Sequence, residues 1–329
     1  MELFSLIQQN LLSPPLLFFA LGILARWLKS DLTIPDQLSK FLSLYLMLAV
    51  GFKGGVAIAG TMHMDLAFFL TMLSSLLMGF LQPFVGFFLL RRTTQLDRCT
   101  SAAVAAHYGS ISMVTFVAAI NFLELRGVPY AGYIVAVLAL MEAPAIVSGL
   151  LIALRDTPKL TQQQEGMSSV HVLRHIATNG AVVLLVGSFV IGLIAGPKGM
   201  QSVEGFLVAP FQGILLLFLL DMGLLVAKHA SDLTSLSVSL VLFGVYMPVL
   251  NAAMSLGLCL LMGLDKGTGF LLTVLAASAS YIVATAAMRA ALPQAKVAIY
   301  LPMSLAVTFP LNITLGIPLY FALAERFLS

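Results

Sequence analysis

Ten apolar segments, near residues 13–29, 36–59, 66–90, 99–121, 129–153, 176–196, 205–227, 234–262, 269–290 and 297–325, constrain this chain before any motif is read. Most are long enough to cross the roughly 30 Å of hydrocarbon in a bilayer. Lipid cannot hydrogen-bond a backbone amide or carbonyl, so such spans are helices whose polar groups are satisfied along their own axis. The expected fold class is an all-α polytopic membrane protein with ten transmembrane helices. Composition agrees: 60% of the 329 residues are hydrophobic and 9% are charged, far too apolar for a soluble domain of this length. The first segment follows Glu2 with no Lys or Arg before it and lacks a clear small-residue cleavage site, so it reads as a true span and not a signal peptide.

With ten spans the basic residues sort by side. Arg26, Lys29, Lys40, Arg91, Arg92, Arg98, Arg155, Lys159, Arg174, Lys228, Arg289 and Lys296 fall on one side, and Arg126, Lys198, Lys266 and Arg326 on the other. An odd number of spans spoils this sorting. The positive-inside rule then places the 154–175 connection in the cytoplasm and both termini outside, in a multi-pass protein of the inner (plasma) membrane. The net charge of +3 comes from these loops, and no basic run points to nucleic acid. Cys99 and Cys259 are isolated, which argues against a disulfide framework or a thiolate metal site.

Inside the fourth segment, Ala102-Ala-Val-Ala-Ala-His-Tyr-Gly-Ser-Ile-Ser-Met-Val-Thr115 puts His107, Tyr108, Gly109, Ser110 and Ser112 at membrane depth. A break in a helix is tolerated there only where it lines a protein-walled cavity. The ninth segment carries a partner. Laying residue 105 on residue 276 aligns Ala-Ala-His-Tyr-Gly-Ser-Ile with Ala276-Ala-Ser-Ala-Ser-Tyr-Ile282. One interrupted span in the corresponding place of each half indicates a secondary transporter built from two inverted five-helix repeats, with helices four and nine discontinuous. The repeats are expected at 1–154 and 173–329, joined by a cytoplasmic linker at 155–172.

Facing half-helices direct free N–H groups and positive dipole ends into the gap, a geometry that suits an anion. Candidate substrate-binding residues are therefore His107, Tyr108, Gly109, Ser110 and Ser112 with Ser278, Ala279, Ser280 and Tyr281. Against this stands the plainer reading that small residues let helices pack closely and that His107 is a packed, hydrogen-bonded histidine.

Charge at membrane depth supplies a second group. Lys53 lies mid-span among glycines, where a lysine costs about 2.5–3.5 kcal/mol unless it finds a partner or water. Laying Phe41–Ala57 on Phe211–Ala227 puts Gly51 on Asp221 and Lys53 on Gly223, and a Lys53–Asp221 ion pair is expected across the repeats. Glu142 stands two residues before Pro144, and Thr308 stands likewise before Pro310. A carboxylate beside a carbonyl freed by proline is a hard-oxygen site for Na⁺ or a protonation switch. Glu142, Thr308, Asp221 and Lys53 form the candidate cation-coupling set. His171 and His175 have the spacing of a helical metal pair but lack the glutamate of a zincin, so no metal other than Na⁺ and no cofactor is expected. No Ser/His/Asp set is evident either, and an enzyme is not expected.

At the two breaks the sequence resembles the sodium-dependent bicarbonate transporters first described from cyanobacteria. The likeness rests on Gly54-Gly-Val-Ala-Ile, Tyr108-Gly-Ser-Ile-Ser-Met, Glu142-Ala-Pro-Ala-Ile-Val, Ala276-Ala-Ser-Ala-Ser and Thr314-Leu-Gly-Ile-Pro-Leu-Tyr, and runs nearly end to end. The resemblance implies ten spans in two inverted repeats, a homotrimer, and bicarbonate held between the crossing breaks with Na⁺ close by. It also implies a trimeric PII-like regulator docking on the cytoplasmic face. It carries the substrate role onto Gly109, Ser110 and Ser112 and onto Ser278 and Ser280. Three positions depart from the cyanobacterial pattern: Tyr281 and Glu142 stand where it has aspartates, and Lys53 where it has a hydroxyl residue. The expected function is import of a small anion, bicarbonate first, coupled to Na⁺ by alternating access. The alternatives are a proton-coupled carrier of a small organic anion, with Glu142 or His107 titrating, and a non-transporting membrane scaffold.

Overall fold

The computed structural model describes residues 3–60, 66–154 and 180–328. The linker at 155–172, with Arg155, Lys159, His171, Arg174 and His175 around it, lies outside the described residues. The described residues are helical and contain no strand. In chain order the helices are α1 (Leu3–Leu11), α2 (Pro14–Trp27), α3 (Asp36–Gly60), α4 (Leu66–Thr93), α5 (Arg98–Gly109), α6 (Met113–Glu124), α7 (Ile134–Leu154), α8 (Gly180–Leu207), α9 (Phe211–His229), α10 (Val238–Met262), α11 (Lys266–Ala277), α12 (Val283–Ala291) and α13 (Val297–Phe327).

Among the described residues, eight helical stretches are long and apolar enough to cross a membrane, or nine if α1 and α2, bent by 59°, count as one span. Ten single spans were expected. The shortfall falls on segment 269–290, which the backbone divides into α11, of 12 residues, and α12, of 9. α8 continues past its expected end, turning at Gly196 (φ 60°, ψ −164°) before Pro197. The last span, α13, winds through π-helical stretches at Met303–Thr308 and Asn312–Gly316, around Pro302, Pro310 and Pro318. Proline has no N–H to donate to the i−4 carbonyl and its ring crowds that oxygen, and a wider turn accommodates it.

Two bundles result. α2, α3, α8 and α9 pair as α2 with α9 and α3 with α8, while α4–α7 pack with α10–α13. Glycines set the first bundle. A methyl group on Gly22 would stand 2.2 Å from the Leu220 carbonyl oxygen, and one on Gly192 would stand 2.2 Å from that of Phe52. On the opposite faces, Gly223 meets the Phe19 oxygen at 2.1 Å and Gly55 that of Phe189 at 2.0 Å by the same measure. Backbones approach this closely only where no Cβ intervenes.

These contacts also fix a register. They carry Gly22 onto Gly192, Leu220 onto Phe52 and Gly223 onto Gly55, and so Asp221 onto Lys53. The alignment of Phe41 on Phe211 is two residues out. An apolar span matches another almost equally well at several shifts, whereas backbone contact admits one.

Candidate functional site

Both interrupted spans are built from the same local parts. α5 opens on Asp97, whose carboxylate accepts the Thr100 amide at 2.8 Å, and α11 opens on Asp265, which accepts the Thr268 amide at 2.9 Å. Each is an N-cap of the kind that stabilises a helix by about 1 kcal/mol. Both helices run 12 residues and stop on a serine in extended conformation, Ser110 (φ −90°, ψ 170°) and Ser278 (φ −83°, ψ 167°). Two residues later a second serine, Ser112 as the N-cap of α6 and Ser280 two residues before the Ile282 N-cap of α12, bonds an amide of the next half-helix. Ser112 Oγ accepts the Thr115 amide at 3.4 Å, and Ser280 Oγ accepts the Ala284 amide at 3.3 Å.

The structural register thus lays Ser110 on Ser278 and Ser112 on Ser280. The sequence alignment of residue 105 on 276 followed the shared alanines and is three residues out, because the caps and not the small residues define where each helix begins and ends.

The breaks meet. The Ser112 amide donates to Ser278 Oγ at 2.7 Å, and the Ser280 amide donates to the His107 carbonyl at 2.9 Å. Two carbonyls freed at the ends of the first half-helices are capped by asparagines. Asn251 Nδ2 donates to the Tyr108 oxygen and Asn312 Nδ2 to the Ala277 oxygen, both at 2.9 Å. Neither asparagine was among the sequence candidates, although an amide side chain at membrane depth in α10 and α13 was a readable signal.

The other candidates fall into place around this crossing. His107 is fully buried, with Nδ1 bonded to the Ala103 carbonyl at 2.6 Å and Nε2 to Thr285 Oγ1 at 3.0 Å. A carbonyl can only accept, so Nδ1 carries the proton and Nε2 accepts from the threonine. In this conformation the ring ties α5 to α12 and offers no donor elsewhere. Tyr108 bonds Thr308 through its hydroxyl at 2.7 Å, and Thr308 in turn donates to the Gly244 carbonyl at 2.8 Å. Gly109 lies under Pro83, whose Cγ would stand 2.4 Å from any Cβ there. Ala279 is buried, and Tyr281 donates its hydroxyl to the Met222 sulfur at 3.4 Å.

Some polar groups at the crossing have no partner among the described residues. Ser110 Oγ is buried and unbonded, as are Asn251 Oδ1 and both amide atoms of Gln82 on α4. The first two amides of α6, Met113 and Val114, also lack one. A buried polar group left without a partner costs about 1–3 kcal/mol, so these atoms are open to a further partner.

Glu142 is buried on α7 and has no hydrogen bond or ion pair among the described residues. It occupies on α7 the place that Thr308 occupies on α13. Ser148 bonds back to the Pro144 carbonyl at 2.8 Å as Thr314 does to that of Pro310 at 2.6 Å. No hydrogen bond joins Glu142 to Thr308.

Lys53 and Asp221 do not pair. The Lys53 ammonium lies 3.2 Å from Glu124 at the end of α6 and 4.4 Å over the Phe211 ring. Asp221 accepts the hydroxyl of Ser39. Ser39 is about 20 Å from Lys53 along α3 at about 1.5 Å per residue. The corrected register explains the separation: the two residues occupy matching places at opposite ends of the first bundle.

Between the bundles a cavity of 1370 Å³ leads to the second break. Tyr281, Ile282 and Thr285 line its inner part, and Asp36, Lys40, His229 and Arg289 line it toward the end where α3 begins.

No curated protein matches this chain. The model of a family described as the Na⁺-dependent bicarbonate transporter superfamily matches residues 14–325, nearly the whole length, and covers both breaks and both bundles. The chain belongs to the Na⁺-dependent bicarbonate transporter superfamily.

Proposed function

We propose that the protein imports a small anion, bicarbonate first, together with Na⁺ by alternating access. The observation that carries the reading is the crossing of two capped helix breaks at membrane depth with the Ser110 hydroxyl and the first α6 amides left unbonded beside it. The anion sits on the positive end of α6 and the serine hydroxyls, where oriented N–H groups favour negative charge. The substrate group is Ser110, Ser112, Ser278 and Ser280, with Gly109 allowing close approach and Tyr108, Ala279 and Tyr281 walling the site. His107 holds the frame. Glu142 with neighbouring carbonyls takes the cation, and Thr308 supports Tyr108.

Import of a monovalent anion against an inside-negative potential costs about 2.3 kcal/mol per 100 mV. One co-transported Na⁺ cancels that charge and adds its own gradient. Two inverted repeats of five spans fit the paired glycine contacts and paired caps, if α1 with α2 and α11 with α12 each count as one broken span. The positive-inside distribution then puts both termini outside and the cavity mouth, with Lys40 and Arg289, in the cytoplasm. A homotrimer and a PII-like cytoplasmic regulator belong to the same reading.

Uptake of labelled bicarbonate into proteoliposomes tests it. Uptake is expected to rise with an inward Na⁺ gradient and to fall about tenfold in Ser110→Ala; equal uptake with and without sodium overturns it. The buried Glu142 carboxyl, without a partner among the described residues, favours a second reading, a proton-coupled organic-anion carrier, in which uptake persists in sodium-free buffer and follows an imposed pH gradient.

A further inference from the structure

The end of the molecule away from the cavity is held shut by contacts between the bundles. Lys53 of α3 pairs with Glu124 of α6 at 3.2 Å, and Gln212 of α9 donates to Asn121 of α6 at 2.5 Å. The correspondence that lays Ser112 on Ser280 and Lys53 on Asp221 also lays Asn121 on Arg289. On α6, Glu124 is one turn beyond Asn121 and shares its face. At the cavity end, therefore, an acid of the first bundle, Asp221, and a base of the second, Arg289, occupy the places that Lys53 and the Asn121–Glu124 turn occupy at the closed end. The charges are exchanged between the bundles.

Here the cavity keeps that second pair apart. Asp221 and Arg289 both line it from opposite bundles. Asp221 bonds Ser39 within its own bundle, and Arg289 is exposed with no ion pair among the described residues. Asp36, Lys40 and His229 also line this end, so Asp36 is a competing partner for Arg289.

We propose that Lys53–Glu124 and Asp221–Arg289 are alternate latches of one rocking motion, each closed when the other is open. The inference rests on the alternating-access reading. Breaking the closed latch shifts the population toward the state with the cavity shut; breaking the open one shifts it the other way. An exposed ion pair is worth up to about 1 kcal/mol, or about fivefold in a two-state population.

The test reads conformation directly. In the full-length protein carrying Cys99→Ser, Leu44→Cys is placed on the cavity wall and labelled with a maleimide in detergent and in proteoliposomes. Lys53→Gln and Glu124→Gln are expected to slow labelling about two- to fivefold, with the double variant no slower than either single. Arg289→Gln and Asp221→Asn should keep labelling at its maximum and each slow turnover. Asp221→Arg combined with Arg289→Asp should restore turnover that either swap alone removes.

Unchanged labelling in Lys53→Gln and Glu124→Gln overturns the proposal, as does a double swap no better than its singles. An effect of Asp36→Asn with none of Asp221→Asn overturns the assigned pair. Lys53→Arg, which keeps the charge, should label like the parent and separates latch from folding loss. Labelling needs no substrate. Latch-dependent labelling without bicarbonate uptake removes the substrate reading alone, while sodium-driven uptake with latch-independent labelling removes the latch alone.

Discussion

Ser110 and Ser278 close the same turn of two helices that open on the same Asp-x-x-Thr cap, yet their hydroxyls do different things. Ser278 Oγ donates to the Leu275 carbonyl at 2.8 Å and accepts the Ser112 amide at 2.7 Å, while Ser110 Oγ has no partner among the described residues. The helices that follow differ too. α6 has 12 residues, and ten of them, Val114–Leu123, are buried. α12 has 9 and presents Thr285 and Ala286 to the cavity, with Ile282 just ahead of it. Matching frames with unlike surroundings suggest a division of labour: the first break is the enclosed wall that keeps an empty donor, and the second is the face that meets the open path.

The sharpest way to break this comparison is at the paired positions Gly109 and Ala277. A side chain at Gly109 runs into Pro83, whereas its counterpart already carries a methyl group. Gly109→Val should destabilise by about 3 kcal/mol or prevent folding, as overpacking against a rigid proline ring does. Ala277→Gly should cost about 1 kcal/mol. Thermal unfolding in detergent distinguishes them; equal losses would show that the two breaks are packed alike.

Next come the asparagines that cap the freed carbonyls. Asn251→Leu leaves the Tyr108 oxygen unpaired and Asn312→Leu leaves that of Ala277, and each should cost about 1–3 kcal/mol. Asn312 also accepts the Tyr320 hydroxyl at 3.0 Å, whereas Asn251 Oδ1 is unbonded. Asn312→Leu should therefore be the worse of the two in the melting temperature. If Asn251→Leu proves worse, the unbonded oxygen is engaged in solution.

How much of this was legible in the sequence depends on what kind of signal each feature leaves. Most of the spans were legible because burial in lipid demands long apolar runs, and the breaks because Gly109 and the serines interrupt such runs. The register was not. Alanines at 105 and 276 align on composition, but the informative residues were the caps outside the apolar runs, Asp97-Arg-Cys-Thr100 and Asp265-Lys-Gly-Thr268, which repeat in type and spacing. The partner of Lys53 was hidden for another reason. Glu124 ends a different span, and no periodicity within α3 points to it. Asp221 was recognised as the counterpart of Lys53, but equivalence under a two-fold relation places residues at opposite ends as readily as side by side.

The cap pair tests the shared frame. Asp97→Ala and Asp265→Ala each remove a side-chain acceptor from an N3 amide, and each should cost about 1 kcal/mol. The Asp97 carboxylate also accepts the Thr100 hydroxyl at 2.7 Å, so Asp97→Ala is expected to be slightly the more damaging. A loss confined to one of the two would mean that the matching geometry does not carry matching weight.

Smallest in stability, and most telling for the contrast, is Ser110→Ala set against Ser278→Ala. Removing the Ser278 hydroxyl strands the Ser112 amide at the crossing, and about 1 kcal/mol should be lost. Removing that of Ser110 breaks no bond, and relieving an unsatisfied buried hydroxyl should leave stability within about 0.5 kcal/mol of the parent or raise it. Bicarbonate should invert the order. A ligand that binds the folded state raises the melting temperature, and that rise should shrink in Ser110→Ala if its hydroxyl is the free donor of the site. Melting curves with and without bicarbonate in sodium buffer test whether one serine sets how firmly the breaks are joined and the other what they hold. A Ser110→Ala protein that melts several degrees lower without ligand would make this hydroxyl a structural bond like its counterpart and erase the difference between the two breaks.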